Sequence, residues 1–216
     1  MSNDSCGCDG CTAPREIEDT DPDATGGGGY WIDGDDVADA PLPDDLCAVL
    51  GRFVDDDSIE TIADYVAAFR RRTDGPLEAT DLCHVDEHTG HWGVVDGEKY
   101  DFRCVFDAVI LARLVEDEAT IHTEAPDGTS VVARVSETGE LTAMPAEATV
   151  SFGIDGAVDP LPAGEGGLAE AYGAVCPYVR AFSNREAYEA WAQTVPAATV
   201  GTSLAGATVL SDVIVG

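Results

Sequence analysis

Apolar positions recur at helical spacing in two adjacent stretches. Leu46, Val49, Leu50 and Phe53 fall on one side of a helix that opens at Pro43-Asp44-Asp45. The Asp57-Ser58-Ile59-Glu60 sequence has the form of a capping box, and it predicts a second helix carrying Ile59, Ile62, Ala63, Val66 and Phe69 inward. Arg70-Arg71-Arg72 suits the negative end of that helix, and Pro76 ends it. The period then falls to two. His91-Trp92-Gly93-Val94-Val95 leads into an Asp96-Gly97 pair, which predicts a hairpin. An apolar helix is expected over residues 104–115. Strands are predicted at 120–124, 130–135 and 149–154, with turns at Asp127-Gly128 and Thr138-Gly139. Residues 155–167, rich in Gly and Pro, read as a loop, and residues 174–182 as a strand with Cys176 near its start. A capping box at Ser183-Asn184-Arg185-Glu186 starts a helix to about Thr194, with Tyr188 and Trp191 inward. Residues 198–204 and 209–215 are the last apolar segments.

This pattern gives an α+β fold. A small helical, trimmed winged-helix-like region over residues 42–95 precedes a mostly antiparallel sheet domain with flanking helices over 96–216. Residues 1–41 read as a disordered acidic tail: residues 1–46 hold thirteen acidic side chains and one Arg, with few apolar residues to bury.

Charge narrows the function. The 216 residues include 42 acidic and 11 basic side chains, for a formal charge of −31. Phosphate backbones need a basic surface, so nucleic acid is excluded as a partner and the arginine triplet reads as a helix cap. The acidity runs through the folded-looking segments too, which suits a surface adapted to high salt, as in a halophile. In molar salt the screening length falls to about 3 Å, and self-repulsion is damped. No apolar stretch reaches membrane-spanning length, and the first residues lack the pattern of a secretory signal. A cytoplasmic location is expected, where thiols stay reduced.

Seven cysteines at irregular spacing suit metal or thiol chemistry better than a disulfide framework. Cys6, Cys8 and Cys11 lie within six residues of the tail and can wrap a soft metal ion; equally, they can be idle, since three thiols do not complete a tetrahedral site. Cys83, His84, His88 and His91 are close in sequence, but their spacing matches no common zinc pattern, and the histidines read mostly as polar loop residues.

The sharper candidate is Cys104 with Asp107, at the start of the apolar helix. Residues at i and i+3 share a helix face, so thiol and carboxylate project side by side. The helix dipole favours a thiolate there. A second thiol, Cys176, would make a two-sulfur site that selects soft cations, with Asp107 better suited to moving protons than to ligating the metal. From the residues alone, two buried cysteines acting as small hydrophobes remain equally open.

Cys104-x-x-Asp107 at the head of an apolar helix, the strand pair 119–124 and 130–135, Cys176-Pro177-Tyr178-Val179-Arg180-Ala181-Phe182-Ser183, and the helix 186–192 with Trp191 together resemble the organomercurial (alkylmercury) lyases. The resemblance covers about 115 residues, from Tyr100 onward. It implies cleavage of a carbon–mercury bond by protonolysis, giving a hydrocarbon and Hg(II), in mercury detoxification. Cys104 and Cys176 would bind mercury as thiolates, and Asp107 would carry the proton to carbon. No cofactor is implied. Hg(II) stays bound as product, external thiols support turnover, and a mercuric reductase is a candidate acceptor. Tyr178 and Phe182 would line a pocket for the organic group or pack the core, the core being the expected place for Phe182. The first 95 residues match poorly, and the Cys-rich tail is outside the usual pattern. A structural cysteine of many members falls near Thr123 and is absent, so the packing there must differ. A non-catalytic mercury- or copper-binding protein or sensor on the same scaffold is the alternative.

Two outcomes are expected. Dialysis from molar salt into dilute buffer should reduce the circular dichroism and the activity. Deleting residues 1–12 should slow mercury release to an acceptor thiol while carbon–mercury cleavage is unchanged, measured as two separate rates.

Overall fold

The computed structural model describes residues 29–34, 36–72, 78–86, 88–115, 117–162 and 167–215, apart from the side chain of residue 168. Cys6, Cys8 and Cys11 lie outside the described residues. The fold is α+β, with two sheets and helices between and around them.

The first helix, α1 (Asp44–Val54), forms as its pattern predicts, burying Leu46, Leu50, Phe53 and Val54. It stops at Asp55, which takes a left-handed conformation (φ 56°) and returns its N–H toward the helix end. The second, α2 (Ile62–Arg72), starts later than expected. The working box is Thr61 and Asp64: Thr61 Oγ1 accepts from the Asp64 N–H, and the Asp64 carboxylate accepts from the Thr61 N–H and hydroxyl. Ser58 is unavailable as a cap because its N–H and O–H both bond Asp56. Ile59 is buried ahead of the helix.

The arginine triplet is consumed within the fold. Arg70 donates to the Ile214 carbonyl, Arg71 pairs with Asp56 at 2.7 Å, and Arg72 donates to the carbonyls of Leu161 (2.8 Å) and Val54 (3.3 Å).

A five-stranded antiparallel sheet has the order β3-β2-β4-β5-β6, from β2 (His91–Val95), β3 (Glu98–Asp101), β4 (Ala119–Glu124), β5 (Ser130–Val135) and β6 (Leu141–Met144). Its hairpin turn at Asp96-Gly97 has positive φ at both residues (49° and 77°), the twist such two-residue turns require. The 95/96 boundary expected from the sequence falls in this turn, and β2 is bonded to β4 as well as to β3. β6 was not expected; it is short and only its first residue is buried.

The second sheet has the order β1-β9-β7-β8, from β1 (Tyr30–Trp31), β7 (Thr149–Asp155), β8 (Ala181–Phe182) and β9 (Ala197–Ser203). Here the expected disorder of residues 1–41 is corrected for residues 29–34 and 36–41. β1 pairs in parallel with β9, and Ile32, Val37 and Ala38 are buried in the core with α1 and α2. A few apolar residues suffice because they dock on an edge already built by the rest of the chain. Gly201 of β9 lies under the Tyr188 ring, and a Cβ there would come within 2.4 Å of it.

The apolar helix expected at 104–115 is α3 (Val105–Val115), and it is buried on nearly all sides. It packs on Val95, Ile121 and Ala133 of the five-stranded sheet and joins Val150, Cys176, Val179 and Leu204 from the other half in one core. The expected strand over 174–182 is replaced. The chain runs as α4 (Gly167–Val175), a 3-10 turn (Cys176–Tyr178), and only then the two-residue β8. Pro177, with no N–H to continue the helix, ends α4 and stands at the start of the 3-10 turn. The helix α5 (Arg185–Ala192) is capped by Asn184, whose side chain accepts from the Ala187 N–H. The last segment, α6 (Ala207–Val215), packs on α2 and α3. No helix among the described residues is long and apolar enough to cross a membrane.

Gly201→Ala is expected to lower stability by about 1–3 kcal/mol, the usual cost of overpacking a tight core. Denaturant melts of the two proteins in the same salt would read this directly.

Candidate active site

The chain reaches Cys104 from β3 through a short, firmly held bend. Phe102, fully buried, donates its N–H to the His91 carbonyl (2.9 Å), and the Arg103 N–H reaches the Cys83 carbonyl (3.3 Å). Cys104 therefore sits immediately before the first residue of α3, with Asp107 in the first turn. Its Sγ lies 3.2 Å from Asp107 Oδ2, in donor geometry. The i, i+3 relation expected from the sequence is thus realised as a contact between the capping position and the first turn.

Asp107 is 2 % exposed. Burial pushes its pKa up to about 6, opposed by the Cys104 contact, by a hydrogen bond from the Cys83 backbone and by the nearby His84. A carboxyl in that range exchanges its proton near neutral pH.

Cys176 arrives from the far side of the core at the junction of α4 and the 3-10 turn. It is buried, with its Sγ within 4.8 Å of the Cys104 Sγ. The neighbouring Cys104 thiol and burial, with the charges of Cys104, Asp107 and Cys83 behind them, push its pKa well above the ordinary thiol value. The three ligand atoms of Cys104, Asp107 and Cys176 lie within 4.8 Å of one another. Among the described residues this is the one group of three or more such donors gathered closely enough to hold a metal ion. Two soft sulfurs dominate it, which suits a soft, low-coordinate metal over Zn²⁺, Mg²⁺ or Ca²⁺.

The other sequence candidates disperse. His84 bonds the Ala79 carbonyl at 2.8 Å and lies against Phe102. His88 is exposed and sits 3.2 Å from Asp101. His91, expected mostly as a polar loop residue, is instead a buried strand residue in β2, with Thr123 and Arg180 on its two ring nitrogens. The four residues of the Cys83–His91 stretch therefore do not converge on a metal. Phe182 packs with Tyr188 and Trp191 in a separate small core, and Tyr178 is half-buried over Gly153, whose absent Cβ lets the 3-10 turn lie against β7.

Two neighbours of the site were not placed there by the sequence. Tyr172 of α4 donates its hydroxyl to the Asp81 carbonyl at 2.6 Å, and its pKa is raised by burial and by the charges of Asp107 and Cys176. Cys83 is buried; its thiol works against ionisation of Cys176, and its backbone hydrogen-bonds Asp107. Both reach the site only because the segment 78–84 folds back onto α3 and α4.

Among curated proteins no match is found. A crystal structure of the mercury-bound form of MerB2 is similar at a TM-score of 0.47 and 15 % identity, over 80 % of this chain and 90 % of that one. The model of the MerB family, described as alkylmercury lyase, matches residues 85–216, a span that contains Cys104, Asp107 and Cys176 and more than half of the chain. On that match, the chain belongs to the alkylmercury lyase family.

Proposed function

We propose that this protein cleaves the carbon–mercury bond of organomercurials by protonolysis, with Cys104, Asp107 and Cys176 as its catalytic residues. The observation that carries the reading is the 3.2 Å contact between Cys104 Sγ and Asp107 Oδ2 inside a buried cluster completed by Cys176.

The steps are those the family resemblance implies, and the gathering of the three side chains supports them. Cys104 gives its proton to Asp107 and attacks the mercury of R–Hg–X, displacing X⁻. Cys176 keeps its proton longer, because the neighbouring Cys104 charge and burial oppose its ionisation. Once mercury has neutralised the Cys104 sulfur, Cys176 loses its proton and bonds the metal as the second thiolate. Added electron density weakens the bond to carbon. Asp107 then donates its proton to the carbon as the carbon–mercury bond breaks, and R–H leaves. Two thiol protons are consumed overall: one ends on R–H, and one leaves with X⁻. Hg(II) remains between two sulfurs, and exchange with an external thiol completes the turnover. Burial opposes the ionisation of Cys176, but it strengthens the charge–charge interactions inside the site, where water is excluded.

Placing a carboxyl at the metal is what separates this reading from a passive mercury or copper binder. A binder needs the two sulfurs but gains nothing from an acid whose pKa is raised to about 6.

Asp107→Asn tests the proton transfer and has an independent stability signature. Benzene release from phenylmercury in high salt with excess thiol should fall by about 10²–10⁴-fold, the usual contribution of a positioned general acid. Both proteins should still bind Hg(II). A wild type that releases no benzene rejects the lyase reading in favour of the binder. The stability arm runs in the opposite direction. Asp107 titrates at about 6 in the folded state, against 3.8 for the unperturbed group. Its favourable contribution is therefore complete below pH ~4 and is lost as pH rises through ~6. The difference of about two pH units corresponds to about 3 kcal/mol. Asparagine cannot ionise, so the variant should be more stable than wild type at pH 8 by up to about 3 kcal/mol, with the gap closing toward pH 4. Urea titrations at the two pH values would measure it.

A further inference from the structure

The two thiols of the site come from segments that approach from opposite sides of the core, and outside the thiol cluster a polar side-chain contact also joins those segments. His91 receives the Phe102 N–H on its backbone carbonyl, two residues before Cys104. Arg180 donates from Nε to the Pro177 carbonyl at 3.1 Å, one residue after Cys176. Between them, Arg180 Nη1 meets His91 Nε2 at 3.1 Å.

The rest of the arrangement fixes both partners. A guanidinium can only donate, so His91 Nε2 must be the unprotonated nitrogen. Its Nδ1 then carries the proton and donates to Thr123 Oγ1 at 2.6 Å. Burial and the Arg180 charge hold His91 neutral, its pKa pushed down to about 4. On the other side, the Arg180 N–H reaches Ser151 Oγ (3.1 Å), and that hydroxyl donates to the Tyr178 carbonyl (2.8 Å). The 3-10 turn bearing Cys176 is thereby tied to β7, while the guanidinium ties it to β2 and, through Thr123, to β4.

We propose that His91 and Arg180 are positioning residues that set the separation of the Cys104 and Cys176 sulfurs, by fastening the backbone leading into Cys104 to the backbone leading out of Cys176. Neither touches the reacting atoms. The first thiol attack needs one sulfur and is indifferent to the spacing. Two-sulfur chelation, and the bond cleavage that depends on it, are not. The catalytic arm of this inference rests on the lyase reading; the metal-binding arm does not.

The test uses the full chain in high salt, with Hg²⁺ alone as the probe for binding and phenylmercury for turnover. Arg180→Met keeps much of the apolar stem and removes every donor. Arg180→Lys keeps a donor that reaches one acceptor at a time. Competition with a small dithiol should show Hg²⁺ held about 10-fold or more weakly in Arg180→Met, because misplacement by an ångström costs up to about 10²-fold where geometry matters. X-ray absorption at the mercury edge, with no added thiol, should show fewer sulfur ligands per Hg²⁺ than in wild type. In turnover, kcat should fall by a similar factor while KM stays within about threefold, since capture by one thiol is retained. Arg180→Lys should fall between the two.

Wild-type Hg²⁺ retention and wild-type kcat in Arg180→Met would overturn the proposal. If Arg180→Met fails to fold, Arg180→Lys decides: unchanged Hg²⁺ retention and kcat overturn the inference, and a graded loss in both with an unchanged melting midpoint upholds it. A wild type inactive on phenylmercury removes the lyase reading, yet the Hg²⁺ competition still judges the clamp.

Discussion

A buried carboxyl held against a thiol is the constraint on which the rest of this structure turns. Asp107 has no water to stabilise its charge, and its hydrogen bonds come from Cys104 and from the Cys83 backbone. Such a group is costly to bury and is tolerated only where its surroundings are fixed. The fold supplies that rigidity. Helix α3 is enclosed by the five-stranded sheet on one side and by residues of the β7 sheet on the other, so the first turn carrying Asp107 has little freedom. The same enclosure brings Cys176 to Cys104 and raises the Cys176 pKa.

The two halves of the core divide the labour. The five-stranded sheet is a regular meander that presents α3 and delivers Cys104 through the Phe102 bend. The β1-β9-β7-β8 sheet carries the less regular segment: α4, the Pro177 turn and β8. Cys176 sits in that irregular segment, and its place is set by specific hydrogen bonds through Ser151 and Arg180 rather than by a repeating ladder. Helices α1 and α2 close the outer face of this second sheet, and the arginines of α2 lock onto carbonyls of distant segments. Positive charge is scarce in the chain, and here much of it is spent inside the fold.

Where the sequence misled, tertiary context had overridden a local signal. The Asp57–Glu60 capping pattern lost to Thr61–Asp64 because Ser58 was already bonded to Asp56. Alternation over 174–182 suggested a strand, yet Pro177 and the close approach allowed by Gly153 give a helix end and a tight turn. The acidic residues around 30–41 carried too few apolar side chains to indicate order by themselves. Their order comes from an edge of β9 that only exists once the C-terminal half has folded. His91 illustrates the same point for function. Within its own segment it looked like one of several polar histidines, and its partners Thr123 and Arg180 are remote in sequence.

The sequence by itself determined what is set over short range: the period of α1, the apolar run of α3, the turn chemistry of the β2–β3 and β4–β5 hairpins, and the placing of Cys104 beside Asp107. Each depends on neighbours within a few residues, so local sterics and hydrogen bonding suffice. It also carried the joint pattern of Cys104, Asp107 and Cys176 that resembles one enzyme family. Only the tertiary structure decided that Cys176 meets the other two and that burial pushes the carboxyl pKa up to about 6. It alone showed that Tyr172, Cys83, His91 and Arg180 surround them. Those properties are set by contacts between residues far apart in the chain and by the exclusion of water, which no single stretch of sequence encodes.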